Sequence, residues 1–300
     1  MQMFRGSIVA LITPMKADGA VDQAAFERLL EFHLAEGTNG VVIAGTTGEA
    51  PTLDAGELEE LVARAVAVCG DRIPVIGGSG TNSTRKTIEL TGRVARAGAT
   101  AALVVTPYYN KPPQRGLAQH YRAVADEGGL PIVMYNVPGR TGCDLQAATA
   151  ASLAEHPGIV ALKEATADMS RLADLVERCP DDFCLLSGDD GTALDFILGG
   201  GRGVISVTAN AAPRLMSGMC EAALRGEERK ARLLDERLAH LHGALFCEPN
   251  PIPVKWAVWR LGLIDRGMRL PLCWLDPNKE STVLEAMTVA GLEMPDAEGL

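Results

Sequence analysis

The chain contains 300 residues, of which 47% are hydrophobic and 22% are charged, and its formal net charge is −10. This composition predicts a globular protein with a sizeable core, built as one large α/β domain with a small addition or as two medium domains. The acidic balance argues against nucleic acid and anionic membrane surfaces as partners. No apolar stretch reaches the ~18 residues that a bilayer-spanning helix needs, so we expect no membrane span.

Cysteines and histidines indicate the compartment and the chance of a metal site. The seven cysteines include no Cys-x-x-Cys pair, which is typical of buried thiols in a reducing compartment. The N-terminus lacks the apolar segment of a signal peptide, and we therefore expect a cytoplasmic protein. The five histidines are scattered, and Asp189 and Asp190 have no histidine nearby in the sequence, so no metal site is predicted.

Apolar runs typical of buried β-strands recur through the first two-thirds of the chain. They cover residues 8–12, 41–44, 74–77, 102–105, 132–135, 159–162, 184–186 and 204–207. Each run is continuous rather than alternating, as expected of parallel strands that are covered on both faces. Amphipathic helical patterns lie between most of them. Eight such units over about 220 residues predict a (β/α)₈ TIM barrel rather than an open doubly wound sheet.

Helix signals support this division of the chain. Asp54 and Glu57 predict a capping box before the helix at 58–68, and Asp22 predicts the cap of an earlier helix that runs through Leu34.

The period changes after the barrel, because no strand is predicted beyond Gly226. One helical face is marked by Leu234, Leu238, Leu241 and Leu245. Two more helices are predicted at 253–261 and 281–290. We therefore predict a barrel catalytic domain at 1–225 and a C-terminal helical extension at 226–300.

Polar clusters follow the predicted strands with a regularity that turns alone do not explain. They occupy residues 45–49, 78–82, 106–110, 135–140, 163–164, 187–190 and 208–210. In a TIM barrel these carboxyl ends of the strands carry the chemistry. Three of the four tyrosines, Tyr108, Tyr109 and Tyr135, lie in two of the clusters, where phenols can relay protons to a carbonyl group.

Lys163 stands out because it closes an apolar strand and precedes Glu164. The sequence thus delivers an amine to the end of a buried strand. Burial disfavours the charged ammonium, and a neutral amine is a nucleophile for carbonyl carbons. The alternative is a lysine that reaches solvent or pairs with a neighbouring acid. The clusters on the other strand ends favour the nucleophile.

Together these features closely resemble the dihydrodipicolinate synthase family, the class I pyruvate-dependent aldolases and lyases that also include N-acetylneuraminate lyase. The resemblance covers nearly the whole chain. It rests on Gly45-Thr-Thr-Gly-Glu49, Thr106-Pro-Tyr-Tyr-Asn110, Tyr135-Asn-Val-Pro-Gly-Arg-Thr141, Lys163-Glu-Ala-Thr166, Ser187-Gly-Asp-Asp190, Gly203-Val-Ile-Ser-Val-Thr-Ala-Asn210 and Glu248-Pro-Asn-Pro-Ile-Pro-Val-Lys255. It implies a lyase that condenses pyruvate with L-aspartate-4-semialdehyde to give 4-hydroxy-tetrahydrodipicolinate, the committed step of the diaminopimelate and lysine pathway.

The resemblance implies catalytic roles for four residues. Lys163 would attack the ketone of pyruvate and form a Schiff base, which loses a methyl proton to give an enamine that adds to the aldehyde. Tyr135 would exchange protons with the imine nitrogen and the pyruvate oxygen. Thr46 would link Tyr135 to Tyr109 by hydrogen bonds, and in this family the residue that matches Tyr109 comes from the neighbouring subunit.

The other implied site residues bind substrate. The backbone N–H groups of Thr46 and Thr47 would hold the pyruvate carboxylate. Arg140 would grip the carboxylate of the second substrate, with a structural salt bridge as the alternative. The main chain at Ile205 and Gly188 would line the pyruvate pocket. The resemblance implies no cofactor, neither a metal nor a nucleotide, because the covalent pyruvate–lysine adduct carries the chemistry.

The resemblance also implies a homodimer that exchanges Tyr109 across its interface and pairs into a dimer of dimers. Lysine inhibits many relatives through a cleft at this interface. Inhibited members tend to have histidine at the position of Ala55, histidine or glutamate at Leu58 and glutamate at Lys86. Because this chain has none of the three, we expect weak or absent inhibition by lysine. Lys255 fits the family pattern far from the strand ends, and we predict a structural role for it.

Two alternatives stay open. The first is another lyase of the same family, for N-acetylneuraminate or a 2-keto-3-deoxy sugar acid. Such members commonly have Ser-Thr-Gly-Glu in the first loop and lack the paired tyrosines, so Thr46-Thr47, Tyr108-Tyr109 and Arg140 favour the synthase. The second is a non-catalytic barrel that binds a keto acid, because a fold alone does not establish catalysis.

Overall fold

Eight parallel strands close into a barrel in the computed structural model, which describes residues 4–295. They are β1 (Gly6–Ala10), β2 (Gly40–Ile43), β3 (Val75–Gly78), β4 (Ala101–Val105), β5 (Ile132–Asn136), β6 (Ile159–Glu164), β7 (Cys184–Ser187) and β8 (Gly203–Ser206). Each strand pairs with the next one along the chain, and β8 pairs with β1 from Gly203 opposite Gly6 to Ser206 opposite Val9. The predicted TIM barrel is confirmed.

Helices alternate with the strands and cover the outside of the barrel. They are α1 (Gln23–Ala35), α2 (Ala55–Cys69), α3 (Thr84–Arg96), α4 (Gln114–Glu127), α5 (Pro138–Thr141), α6 (Ala147–Ala154), α7 (Met169–Arg178), α8 (Ala193–Leu198) and α9 (Pro213–Leu224). Three more follow β8 and α9, namely α10 (Glu228–Ala244), α11 (Ile252–Arg260) and α12 (Pro277–Val289). Within residues 4–295, no helix combines the length and the apolarity needed to cross a membrane.

Side-chain caps fix where two of these helices begin. The Asp54 carboxylate accepts hydrogen bonds from the backbone N–H groups of Gly56 and Glu57, and the Glu57 carboxylate accepts one from the Asp54 N–H. This is the predicted capping box, and α2 begins three residues earlier than the apolar pattern indicated. Asp22 caps α1 by accepting from the Ala25 N–H, as predicted. Each cap satisfies backbone donors that have no partner within the helix.

Alternation along the strands divides the core into two layers. Side chains that face the barrel axis form an inner cluster, and those that face outward pack against the helices. On β5, Val133 and Tyr135 face inward while Met134 faces outward. On β6, Ala161 faces inward while Leu162 faces outward. The next inward position on β6 is that of Lys163.

The last three helices pack on the flank of the barrel. The helix α10 contacts α9 and α12, and of its predicted apolar face Leu238, Leu241 and Leu245 are fully buried, whereas Leu234 is only partly buried. The predicted boundary between residues 225 and 226 falls in the turn between α9 and α10. The division of the chain into two domains stays a prediction.

Candidate active site

The carboxyl ends of the strands surround a cavity of about 120 Å³. Because all eight strands are parallel, the clusters that follow them meet at one end of the barrel. Six of the eight predicted site residues line this cavity, and they are Thr46, Thr47, Tyr135, Arg140, Lys163 and Gly188. The structure therefore brings together residues that are up to 142 positions apart in the sequence.

Lys163 lies within β6 rather than at its tip, because the strand continues to Glu164. Only 5% of Lys163 is exposed, and its Nζ lies 4.3 Å from the centroid of the Tyr135 ring. The sheet register explains this distance, since Tyr135 on β5 is paired with Lys163 on β6 and both face the barrel axis. The amine thus lies in the mouth of the barrel beside a phenol.

Gly188 leaves the space that the Lys163 side chain occupies. A Cβ at this position would lie 2.9 Å from Cε of Lys163 and 2.6 Å from Cβ of Ala165. The Gly188 N–H donates to the Glu164 carbonyl at 2.7 Å, which continues the ladder between β6 and β7. The family resemblance implied a role for the main chain of Gly188 only. The structure adds that no larger residue fits at this position without displacing Lys163.

The turn at 45–48 brings Thr46 and Thr47 to the cavity. It lies between Ala44 and Glu49, both of which have left-handed backbones with φ of 53° and 58°. The Glu49 N–H donates to the Thr46 carbonyl at 3.1 Å and closes the turn. Thr47 is buried, whereas Thr46 is half-buried. A non-glycine residue rarely adopts this conformation without support from its surroundings.

Arg140 lies in α5, directly after β5, and its exposed side chain lines the mouth of the cavity. Its guanidinium donates to the carbonyl of Asn250 at 3.4 Å. Over the described range 4–295, Arg140 forms no salt bridge, which the structural alternative would require. The planar fork of an arginine suits a carboxylate.

Two predicted site residues lie outside this cavity. Tyr109 is 87% exposed and has a left-handed backbone with φ of 72°. Its N–H donates to the Thr141 carbonyl at 3.3 Å, which anchors the loop to α5. Ile205 is buried on β8 in the inner layer of the barrel. The predicted hydrogen bonds from Thr46 to Tyr109 and Tyr135 stay predictions.

A model of the Dihydrodipicolinate synthetase family matches residues 3–290. The chain belongs to this family. A relative from Methylococcus capsulatus, named 4-hydroxy-tetrahydrodipicolinate synthase, is 53% identical over 97% of this chain and 100% of its own length. A relative of the same name from Thiobacillus denitrificans is 55% identical over 96% of this chain and 97% of its own.

A solved structure with the family name has the same fold as this chain. The crystal structure of the chloride inhibited dihydrodipicolinate synthase from Acinetobacter baumannii, complexed with pyruvate, has a TM-score of 0.95 with this chain at 49% identity, and covers 96% of this chain and 99% of that one. The predictions of the family and of a lyase are confirmed. The synthase names of the relatives also favour the synthase over the sugar acid lyases that the sequence left open.

Asn250 is a cavity residue that the sequence pattern did not single out. It lines the same cavity as Lys163, although it belongs to the segment between α10 and α11. Its side-chain Nδ2 donates to the Thr47 hydroxyl at 3.1 Å. The only signal in the sequence was a polar residue between Pro249 and Pro251 in a motif that the resemblance already included.

A polar ring lies behind Lys163, on the outer face of the sheet. Nδ2 of Asn136 donates to both carboxylate oxygens of Glu164, at 3.1 and 3.3 Å, and to Asp144 at 2.9 Å. Arg171 donates to Asp144 at 2.7 Å and lies 3.9 Å from the Glu164 carboxylate. Burial raises the pKa of Glu164 above its usual value, and the hydrogen bonds from Asn136 and Thr166 oppose this shift.

The residues considered for a metal in the sequence are Asp189 and Asp190. Within residues 4–295, no group of three or more histidine, cysteine, aspartate or glutamate residues could hold a metal ion. Of these two aspartates, Asp190 accepts hydrogen bonds from the backbone N–H groups of Val207 and Thr208. It therefore fixes the loop after β8.

Proposed function

We propose that the chain is a Schiff-base-forming lyase that condenses pyruvate with L-aspartate-4-semialdehyde to give 4-hydroxy-tetrahydrodipicolinate. The observation that carries the proposal is the position of Lys163, whose amine lies 4.3 Å from the Tyr135 ring in the cavity at the strand ends. Relatives with the synthase name support the reaction, and the Acinetobacter baumannii structure with pyruvate supports the first substrate.

The reaction starts when the Lys163 amine adds to the keto carbon of pyruvate. Loss of water gives an iminium ion, which withdraws electrons so that a methyl proton leaves and an enamine forms. The enamine carbon bonds to the aldehyde carbon of the second substrate. The amine of that substrate then adds to the iminium carbon, closes the ring and releases Lys163. Each step moves a proton, and Tyr135 is the adjacent phenol that can donate and accept it.

The carboxylates of both substrates need binding groups. We propose that the backbone N–H groups of Thr46 and Thr47 bind the pyruvate carboxylate and that Arg140 binds the carboxylate of the semialdehyde. The main chain of Gly188 and of Ile205 would complete the pyruvate pocket. The iminium ion is itself the electron sink, so the proposed reaction uses no metal and no nucleotide.

Borohydride trapping tests this proposal. The protein is incubated with pyruvate, reduced with borohydride and digested, and the modified peptide is identified by mass spectrometry. We expect one adduct, on Lys163, its loss in Lys163→Ala, and its retention in Lys279→Ala, which removes an exposed lysine on α12. An unmodified wild-type protein would contradict the proposal. An assay with the semialdehyde and with N-acetylneuraminate then separates the synthase from a sugar acid lyase.

We further propose a homodimer in which Tyr109 completes the site of its neighbour, with two dimers forming a tetramer. Tyr109 is 87% exposed although its left-handed backbone is held by a hydrogen bond to Thr141. An exposed aromatic side chain on a backbone that is held in place is typical of a partner contact. Sedimentation gives the assembly. Mixing refolded Tyr109→Phe and Lys163→Ala subunits should restore activity, because a mixed dimer contains one intact site.

We propose that lysine inhibits this enzyme weakly or not at all. A second cavity of about 330 Å³ shares Thr46, Tyr135 and Arg140 with the first and extends to Ala55 and Leu58. The side chains of Ala55 and Leu58 offer no charge or hydrogen bond to an amino acid ligand. Activity measured against rising lysine concentration should stay level, and a clear fall at sub-millimolar lysine would contradict this proposal.

We place the enzyme in the cytoplasm. All seven cysteines carry free thiols, and burial raises the pKa of Cys69 and of Cys179 to about 11. Such thiols stay protonated near neutral pH, which suits a reducing compartment. Fractionation of cells that produce the protein would test the location.

A further inference from the structure

The C-terminal helices reach the turn that carries Thr46 and Thr47. Asn250, just before α11, donates from Nδ2 to the Thr47 hydroxyl at 3.1 Å. One turn into α11, Lys255 donates from Nζ to the Glu49 carboxylate at 2.6 Å. Two contacts therefore join the same short turn to a segment that lies some 200 residues further along the chain.

The Glu49–Lys255 pair is a buried ion pair. Both side chains have an exposed fraction of 0%. The second carboxylate oxygen of Glu49 accepts from the Arg269 N–H at 3.2 Å. Burial lowers the pKa of Lys255, and the Glu49 carboxylate opposes this shift. Removing two charges from water is costly, and such a pair is often no more stable than an apolar one of the same shape. Stability alone is thus a weak reason for its presence.

The conformation of the turn gives a stronger reason. Glu49 and Ala44 bracket the turn in left-handed conformations that a non-glycine residue adopts only when its neighbours enforce them. The Glu49 N–H donates to the Thr46 carbonyl at 3.1 Å. Holding the Glu49 carboxylate therefore also holds the peptide that carries Thr46, and holding the Thr47 hydroxyl fixes the next residue.

We propose that Glu49, Lys255 and Asn250 are positioning residues, which hold the Thr46–Thr47 turn in the geometry that binds the carboxylate of pyruvate. The inference rests on the proposed function, in which the backbone N–H groups of this turn bind that carboxylate. An anion site made of backbone groups depends on their direction, because the peptide cannot adjust as a side chain can. The C-terminal extension is then part of the active site rather than an addition to it, and Lys255 acts beyond the structural role predicted from the sequence.

The test compares variants that change the positioning residues with one that only weakens the fold. Glu49→Gln with Lys255→Met replaces the ion pair by neutral groups of similar shape. Asn250→Ala removes the contact with Thr47 and leaves the buried pair intact. Val124→Ala, in the buried core of α4 away from the cavity, serves as the destabilised control. For each variant, thermal unfolding, kcat, KM for pyruvate and the pyruvate concentration that gives half-maximal borohydride trapping are measured.

We expect the double variant to need about tenfold more pyruvate for half-maximal trapping, with a smaller change in kcat, because ground-state binding of the carboxylate is lost. Asn250→Ala should require about threefold more, and Val124→Ala should lie within about twofold of the wild type. If the double variant does not fold, the pyruvate concentration for half-maximal trapping in Asn250→Ala tests the inference on its own. A folded variant with wild-type half-saturation, or an equal shift in Val124→Ala, would overturn the inference. A wild-type protein that forms no adduct would instead overturn the proposed function.

Discussion

Replacing Gly188 by alanine should disable the site without preventing folding. The backbone of Gly188 is not left-handed, so alanine meets no conformational barrier there. Space is the obstacle, because the new methyl group would lie 2.6 Å from Cβ of Ala165, 2.9 Å from Cε of Lys163 and 3.1 Å from its Cγ. The atom that carries the reactive amine is thus one of the atoms that must move.

The distances set the size of the effect. Ordinary carbon contacts begin near 3.4 Å, so Cε of Lys163 must move by roughly half an ångström and Ala165 by somewhat more. A misplacement of about 1 Å in a reacting group can slow a reaction about 100-fold. We therefore expect adduct formation to slow by about 10- to 100-fold, which corresponds to about 1.4 to 2.7 kcal/mol in activation free energy. Overpacking should lower the free energy of unfolding by about 1 to 3 kcal/mol.

The assay is the rate of pyruvate adduct formation in a single turnover, with borohydride quenching at each time point. Gly243→Ala is the matched control, since nothing lies within 4 Å of the added Cβ on α10, and alanine favours a helix over glycine by about 1 kcal/mol. It should keep the wild-type rate. A Gly188→Ala protein that folds and forms the adduct at the wild-type rate would refute the argument that Lys163 depends on this space.

Two further predictions concern stability. The free energy of unfolding should be lower at about pH 5 than at about pH 7, because burial lowers the pKa of His33 to about 3 and of His120 to about 4. Both histidines stay neutral in the folded chain at pH 5, whereas both gain a proton in the unfolded chain below about pH 6.5. The stability that is present above that pH is therefore lost as the pH falls, by about 2 kcal/mol for each histidine at pH 5. In urea unfolding, His33→Gln and His120→Gln should each remove about half of this loss, and an unchanged pH dependence in both would contradict the reasoning. Arg269→Lys should cost about 2 kcal/mol, because its guanidinium forms a two-pronged ion pair with Glu57. Arg64→Lys, at a more exposed ion pair, should lower the free energy of unfolding by less than about 1 kcal/mol. Equal losses in the two variants would contradict the stabilising role given to the Arg269–Glu57 pair.

The barrel could be predicted from the sequence because buried parallel strands leave a continuous apolar signature. All eight predicted runs overlap observed strands. Two boundaries differ most, because β1 covers Gly6–Ala10 instead of 8–12, and β6 continues through Lys163 to Glu164. Apolar runs end where a charged residue begins, whereas a strand ends where its backbone pairing ends, and β6 keeps its pairing to β7 as far as Glu164 opposite Ser187. Hydrophobicity therefore could not define that boundary.

The site was predictable to the extent that it follows strand order. Tyr135 and Lys163 lie near the carboxyl ends of recognisable strands and Thr46 follows another, so the parallel order of the strands brings the three together. Asn250 lies beyond the last strand, and its contact with Thr47 depends on how α10 and α11 return to the barrel mouth. The hydrophobic periodicity of the sequence predicts the helices, but it does not predict how they pack against the barrel mouth. The same reason explains why the sequence placed Lys255 far from the strand ends, while the structure pairs it with Glu49.

Because side chains alternate along β5 and β6, the end of each strand places one residue in the cavity and the next residue on the outer face of the sheet. Tyr135 and Lys163 face the cavity, whereas the next residues, Asn136 and Glu164, face outward and are hydrogen-bonded to each other across the same strand pair. The outward pair belongs to a ring that Arg171 on α7 ties to the sheet. A register slip of one residue would turn Lys163 outward, and it would also turn the Glu164 carboxylate toward the barrel axis, away from Asn136 and Arg171. A slip that moved Lys163 out of the cavity would therefore also break the hydrogen bonds of Glu164. In this way the polar ring stabilises the register on which the distance between the Lys163 amine and the Tyr135 ring depends.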